Sequence, residues 1–185
     1  MAPHARLIII LSCIVAAIVF ASLSLGSCNN QHGSGSGAGS EGNKKTERVT
    51  IAGHAFDLEV AADPSTREIG LMNRASIDEH GGMIFIFPDK GVQVQGFWMK
   101  NCLADLDIIY LDSRGKVTAT HHMLAETPKQ ASETQASYEQ RLKRYSSGYP
   151  AQFAIELKAG WLEQLHLKLE DPIAIDLERL KARAR

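Results

Sequence analysis

Apolar and polar positions divide the 185-residue chain into very unequal stretches. Leu7 to Gly26 is free of charge and mostly aliphatic. As a helix, a run of about 20 residues rises about 30 Å, the thickness of a bilayer core. From Asn29 to Glu47 the only apolar residue is Ala38, and glycine alternates with serine. Such a stretch cannot bury enough surface to order itself. It reads as a flexible tether, with an r.m.s. reach of about 25 Å for roughly 20 residues. After Arg48 the apolar positions return in short runs of the kind that build a core.

Arg48 to Val60 predicts two strands around Gly53-His54, with Phe56, Leu58 and Val60 on one face by alternation. Asp63-Pro64 predicts a helix start, aspartate as N-cap and proline at N1, for a helix to about Met72. Gly81-Gly82 precedes Met83 to Phe87, apolar at every position, which suits a strand covered on both faces and stopped by Pro88. Further strands are predicted over Val92–Lys100, interrupted by Gly96, over Leu106–Leu111, and over Lys116–His122 after a turn at Asp112–Gly115. Residues 125–147 are polar, and Ser132 to Tyr145 has helical chemistry. Gln152–Leu157 predicts a strand, Gly160–Leu165 a helical turn and Pro172–Leu177 a last strand. There is no internal repeat. The sum is a mainly β, α+β fold, a compact antiparallel sandwich or barrel-like domain with two or three short helices.

Charge sharpens this division. The whole chain carries a net −1, which argues against a nucleic-acid partner. Residues 48–177 hold 13 basic and 18 acidic side chains, and 178–185 hold four basic and one acidic, read as a charged tail. Arg6 is the only formal charge before residue 41. Leu25-Gly26-Ser27-Cys28 resembles the bacterial lipoprotein signal, small residues before a cysteine that takes lipid. The expected organisation is a signal peptide (1–27), lipidated Cys28 with a tether (28–47), a globular domain (48–177) and the tail. An uncleaved membrane helix and simple secretion are the alternatives. On the lipoprotein reading the domain lies outside the cytoplasm, held to the cell-envelope membrane through Cys28. Cys13 leaves with the leader, and Cys102 remains as the domain's only thiol, expected to be buried rather than catalytic.

Four motifs follow one another at short distances: Arg67-Glu68-Ile69-Gly70-Leu71-Met72-Asn73-Arg74, Gly82-Met83-Ile84-Phe85-Ile86-Phe87-Pro88, Phe97-Trp98-Met99-Lys100-Asn101 and Leu106-Asp107-Ile108-Ile109-Tyr110-Leu111-Asp112. Ala154-Ile155-Glu156-Leu157 with Ala159-Gly160 completes the set. The pattern resembles the DUF192 (UPF0127) family over about 64–173. The resemblance implies a compact, largely β-sheet fold in proteins that are often exported, and it assigns no activity. The sequence departs from the family pattern at Cys102, where threonine is usual, in the long segment 125–147, and at Glu170-Asp171-Pro172 in place of a Gly-Asp turn.

Several side chains are candidates for chemistry. Arg67 and Arg74, seven apart, share a face if the helix continues, and two guanidiniums can clamp an anion; alternatively they pair with Asp107 or Glu156 and pin the helix to the sheet. Trp98, Lys100 and Asn101 offer an indole, an ammonium and an amide for a polar ligand, or a core tryptophan beside a snorkelling lysine. Asp105 and Asp107 alternate on one strand, where a carboxylate pair can serve acid–base work; a single Asp107 held by an arginine is the plainer reading. His121 and His122, being adjacent, point to opposite faces, and no metal-ligand spacing or cofactor fingerprint occurs. The reading that follows is a membrane-tethered binding module for a small polar or anionic ligand or an envelope partner, around Arg67, Arg74, Trp98, Lys100 and Asn101. A hydrolase-like enzyme using Asp107 with Lys100 or a histidine, and a structural domain without ligand, are the alternatives.

Overall fold

The computed structural model describes residues 46–185. The leader, Cys13, Cys28, His32 and the Gly/Ser segment to Lys45 lie outside the described residues. The fold is mainly β of the α+β class, with eight strands and four short helices among the described residues.

Strands β1 (Thr46–Ile51) and β2 (His54–Ala61) form a hairpin. Its two loop residues, Ala52 and Gly53, both have positive φ, as a tight hairpin turn demands. Helix α1 (Pro64–Ile69) starts as expected. The Asp63 carboxylate accepts from the Thr66 N–H at 3.0 Å, and the Thr66 hydroxyl closes the capping box. The helix ends at Gly70, short of Met72. The chain then returns as β3 (Gly82–Ile86) parallel to β2, the one parallel pair in an otherwise antiparallel sheet.

After a 3-10 turn at Asp89–Gly91 come β4 (Gln93–Phe97), β5 (Leu106–Leu111) and β6 (Val117–Met123). Helix α2 (Gln135–Arg141) precedes β7 (Tyr145–Ala151) and β8 (Phe153–Lys158), then α3 (Trp161–Leu165) and α4 (Leu177–Lys181). Six strands form one open sheet in the order β1-β2-β3-β8-β5-β6, so no barrel closes. β4 and β7 form a separate ribbon. The Ser147 hydroxyl accepts from the Gln95 N–H at 2.9 Å where the ribbon's register slips.

The central strands bury both faces. Ile84, Ile86, Ile109, Leu111, Ile155 and Leu157 join one core; Met83, Phe85, Ile108, Tyr110 and Ala154 join the other. This is the physical meaning of the unbroken apolar run in β3.

Three expectations are corrected. β7 occupies a segment read as helix end and polar loop, because a ribbon strand with Gly148 and Pro150 carries no apolar alternation. Pro172–Leu177 is not a strand: it makes only single bridges, Lys116 with Pro172 and Thr50 with Ala174. The segment 178–185 is not a solvated tail, since α4 buries Leu180 in the core and Arg179 and Arg183 both pair with Glu47 of β1.

Candidate functional site

A cleft of about 390 Å³ opens between the end of α1 and the end of β4, over the face of the sheet that carries Phe85 and Tyr110. That volume is at the small end of ligand pockets. Arg67, Trp98, Lys100, Phe97 and Glu156 all line it, and Phe85, Phe87 and Cys102 add to its apolar wall. The rings pack edge to face: Phe85 against Phe97 with centroids 4.8 Å apart, and Phe97 against Tyr110 at 5.6 Å. Gly70, with φ +52, ends α1 where a Cβ would lie 3.3 Å from the Phe85 ring, so the glycine leaves room for that ring.

Arg67 is half-buried. It donates to the main-chain oxygens of Ile86 (3.0 Å) and Arg185 (2.9 Å), and its guanidinium lies over Phe87. Burial draws its pKa down, and the charge of Asp63 opposes that only in part. Lys100 is paired with Glu139 of α2 at 2.6 Å and lies 5.2 Å from the Trp98 ring. Arg144 stacks closer on the same indole, 3.5 Å from its centroid. Cations thus gather around Trp98 and Arg67 at this cleft, with the exposed Glu68 as an acidic neighbour. The Cys102 thiol is buried, and desolvation lifts its pKa to about 12, so it stays protonated and carries no nucleophile.

Glu156 is the unusual member. It sits mid-strand in β8, paired in register with Met83 on one side and Ile108 on the other. The residue is only 5% exposed, and no hydrogen bond from the described residues reaches its carboxyl. Burial is the dominant influence on it and raises its pKa to about 8; the charge of Arg74 opposes this. A carboxyl confined to the wall of an apolar cleft is costly to ionise, which is what the raised value describes. In the sequence Glu156 stands only as a partner for an arginine. A glutamate inside an otherwise apolar strand, Ala154 to Leu157, was the signal available.

The other candidates disperse. Arg74 lies beyond the end of α1, so the shared helical face does not arise. It forms a two-pronged pair with Glu59 of β2 at 2.5 and 2.8 Å, not with Asp107. Asn101 has positive φ and is a joint: its N–H donates to the Tyr138 hydroxyl at 3.0 Å and its carbonyl accepts from Asn73 at 2.8 Å. Strand β4 stops at Phe97, so Trp98 and Lys100 come together by ring–cation contact and not by strand alternation.

Asp107 points to the opposite face of the sheet from the cleft. Its carboxylate accepts from the N–H groups of Gly160 (2.9 Å) and Leu162 (2.8 Å), capping the start of α3, and bonds His122 Nδ1 at 2.8 Å. Asp107 and Lys100 are therefore not brought together, whereas Asp107 and His122 are. Asp105 instead accepts from Ala125 N–H at 2.7 Å. His121 does point to the other face, with its Nε2 2.7 Å from the Ser146 carbonyl oxygen. Among the described residues, no group of three metal-ligating side chains converges.

An open, mainly β sheet of the α+β class with a small aromatic cleft at the α1–β4 junction defines the type of domain. The chain belongs to the DUF192 family, described as uncharacterized ACR, whose sequence pattern matches residues 47–175. Two solved structures are similar. One, from Sinorhizobium meliloti 1021 and suggested to be a transcription regulator, shares 29% identity at a TM-score of 0.53, covering 69% of this chain and 89% of its own. Another, a protein of unknown function from Novosphingobium aromaticivorans DSM 12444, shares 23% identity at a TM-score of 0.55, covering 75% of this chain and 91% of its own. Among curated proteins none matches the chain.

Proposed function

We propose that this domain is a binding module for a small anionic ligand with an apolar body, held at a membrane of the cell envelope through lipid on Cys28. The observation that carries the binding reading is Glu156, 5% exposed and without a hydrogen bond to any described residue, in a cleft walled by phenyl rings and edged by Arg67 and Lys100. A vacant polar group inside an apolar concavity is the arrangement ligand sites use for orientation. The cations around it favour a negative group on the ligand, and the rings favour a short hydrocarbon body.

Calorimetric titration near neutral pH with hexanoate and hexyl sulfate is expected to give saturable binding, and hexylamine is expected to bind more weakly. Arg67→Ala is expected to weaken the anions by about tenfold, a loss of about 1.4 kcal/mol. Absence of binding by either anion, or preference for the amine, overturns the reading.

The tether reading rests on Leu25-Gly26-Ser27-Cys28 and on the Gly/Ser stretch that follows. Two acyl chains give stable anchoring where one gives only marginal binding. Cys28→Ser is expected to release the protein from the membrane fraction. Full retention with membranes would show an uncleaved anchor instead. Among the described residues no helix is long and apolar enough to cross a membrane.

A further inference from the structure

We infer that the cleft accepts its anion only with Glu156 in the acid form, the carboxyl donating a hydrogen bond to an anionic oxygen of the ligand, so that occupancy and pH are linked. This rests on the binding reading above and adds to it the group that reads the ligand and the condition under which it does so.

The argument is one of donors and charges. Glu156 is 5% exposed and hydrogen-bonded to nothing among the described residues, so its carboxyl is available to whatever enters the cleft. Arg74, the cation whose charge acts on Glu156, directs two N–H groups to Glu59 and makes no hydrogen bond to Glu156 among the described residues. Arg67 of α1 is engaged with the oxygens of Ile86 and Arg185, and Lys100 with Glu139. An ionised Glu156 would therefore face an incoming anion with no cation hydrogen-bonded between them, in an apolar wall where repulsion is poorly screened. The acid form removes that repulsion and supplies an O–H donor.

The remaining titratable neighbours are Glu68 at the mouth, Cys102 beside the cleft and Tyr110 of β5 beneath it. Cys102 is held at about 12 and burial raises Tyr110, so neither thiol nor phenol ionises near neutrality. Burial places the Glu156 proton loss at about 8, inside an accessible range.

The test uses hexyl sulfate, whose own charge does not change between pH 6 and 9.5, with the full-length protein. Affinity is expected to be constant from pH 6 to 7 and to fall above about 8, approaching tenfold per pH unit, as one proton must accompany each anion. Titrations near pH 8.5 in buffers of different ionisation enthalpy are expected to show net proton uptake on binding. Glu156→Gln keeps a donor but no titration, and is expected to bind with a flat pH profile and no proton uptake. If the wild type binds hexyl sulfate equally well at pH 6 and 9.5 without proton uptake, the inference fails while the binding reading stands. If affinity rises with pH, Glu156 acts as an anion and the inference is likewise wrong. If no anion binds at any pH, both readings fall together. Should the glutamine variant not fold, the proton uptake of the wild type still decides.

Discussion

Glu156→Gln flattens the dependence of folding stability on pH between about 4.5 and 8. In the fold, burial holds the Glu156 proton up to about 8, whereas the unfolded chain releases it near 4.5. Between those values the folded state binds the extra proton, so stability must fall as pH rises. The contribution is fully present below the unfolded value and lost as pH passes through the folded one. Integrated over the window of about 3.5 pH units, it amounts to roughly 5 kcal/mol at about 1.4 kcal/mol per unit. A glutamine has no proton to lose, so its stability stays level over the same range. Urea midpoints for both proteins at pH 5, 6.5, 8 and 9 provide the measurement. Parallel declines in the two would mean that another group is responsible and that Glu156 is already ionised in the fold.

Gly82→Ala is expected to cost about 4 kcal/mol or more, enough to unfold many domains of this size. Gly82 has φ +146, and a Cβ there would lie 2.1 Å from the carbonyl oxygen of Glu156. That contact is with the backbone of a central strand, so no side chain can swing away to relieve it. The substitution would have to part β3 from β8, the pair that carries Glu156 into the cleft wall. Overpacking and backbone strain each account for about 1–3 kcal/mol in comparable sites. Gly96→Ala is the matched control. Its Cβ would meet nothing within 4 Å and its φ is not in the left-handed region, so a change within about 1 kcal/mol is expected. A near-neutral Gly82→Ala would show that β3 and β8 lie further apart than described.

Most of the sheet was legible because its signals are local. Asp63-Pro64 carries its own cap, Asp112–Gly115 its own turn, and Met83 to Phe87 its own evidence of double burial. β7 was not legible. Tyr145-Ser146-Ser147-Gly148-Tyr149-Pro150 has no alternation, and what makes it a strand is β4, some 50 residues earlier in the chain. The same distinction divides the candidate site. Arg67, Trp98 and Lys100 come from neighbouring motifs and do line one cleft. Arg74 joins them only if the helix continues, but α1 stops at Ile69, and Asn101 lies past the end of β4 in a joint held by Tyr138 and Asn73. Glu156 arrives from β8, far along the chain. Its importance lies in the absence of a partner, a property of the packed fold rather than of any motif. Asp107 had the right residue type for catalysis, but its oxygens are occupied by the first N–H groups of α3 and by His122.

The pairing of Glu47 with Arg179 and Arg183 has a mechanical side. Glu47 is the second residue of β1, next to the point where the chain enters the sheet, and both arginines come from the opposite end of the sequence. Any pull delivered along the preceding segment reaches the fold at Thr46. It loads this clasp together with the first rungs of the ladder between β1 and β2, Thr46 with Glu59 and Glu47 with Leu58. Arg185 N–H adds a further stitch by donating to the Ala62 carbonyl at 2.8 Å. The first strand and the last helix of the described fold are thus spliced beside each other on an edge of the sheet, and an edge strand that would otherwise peel one bond at a time is secured at its loaded end.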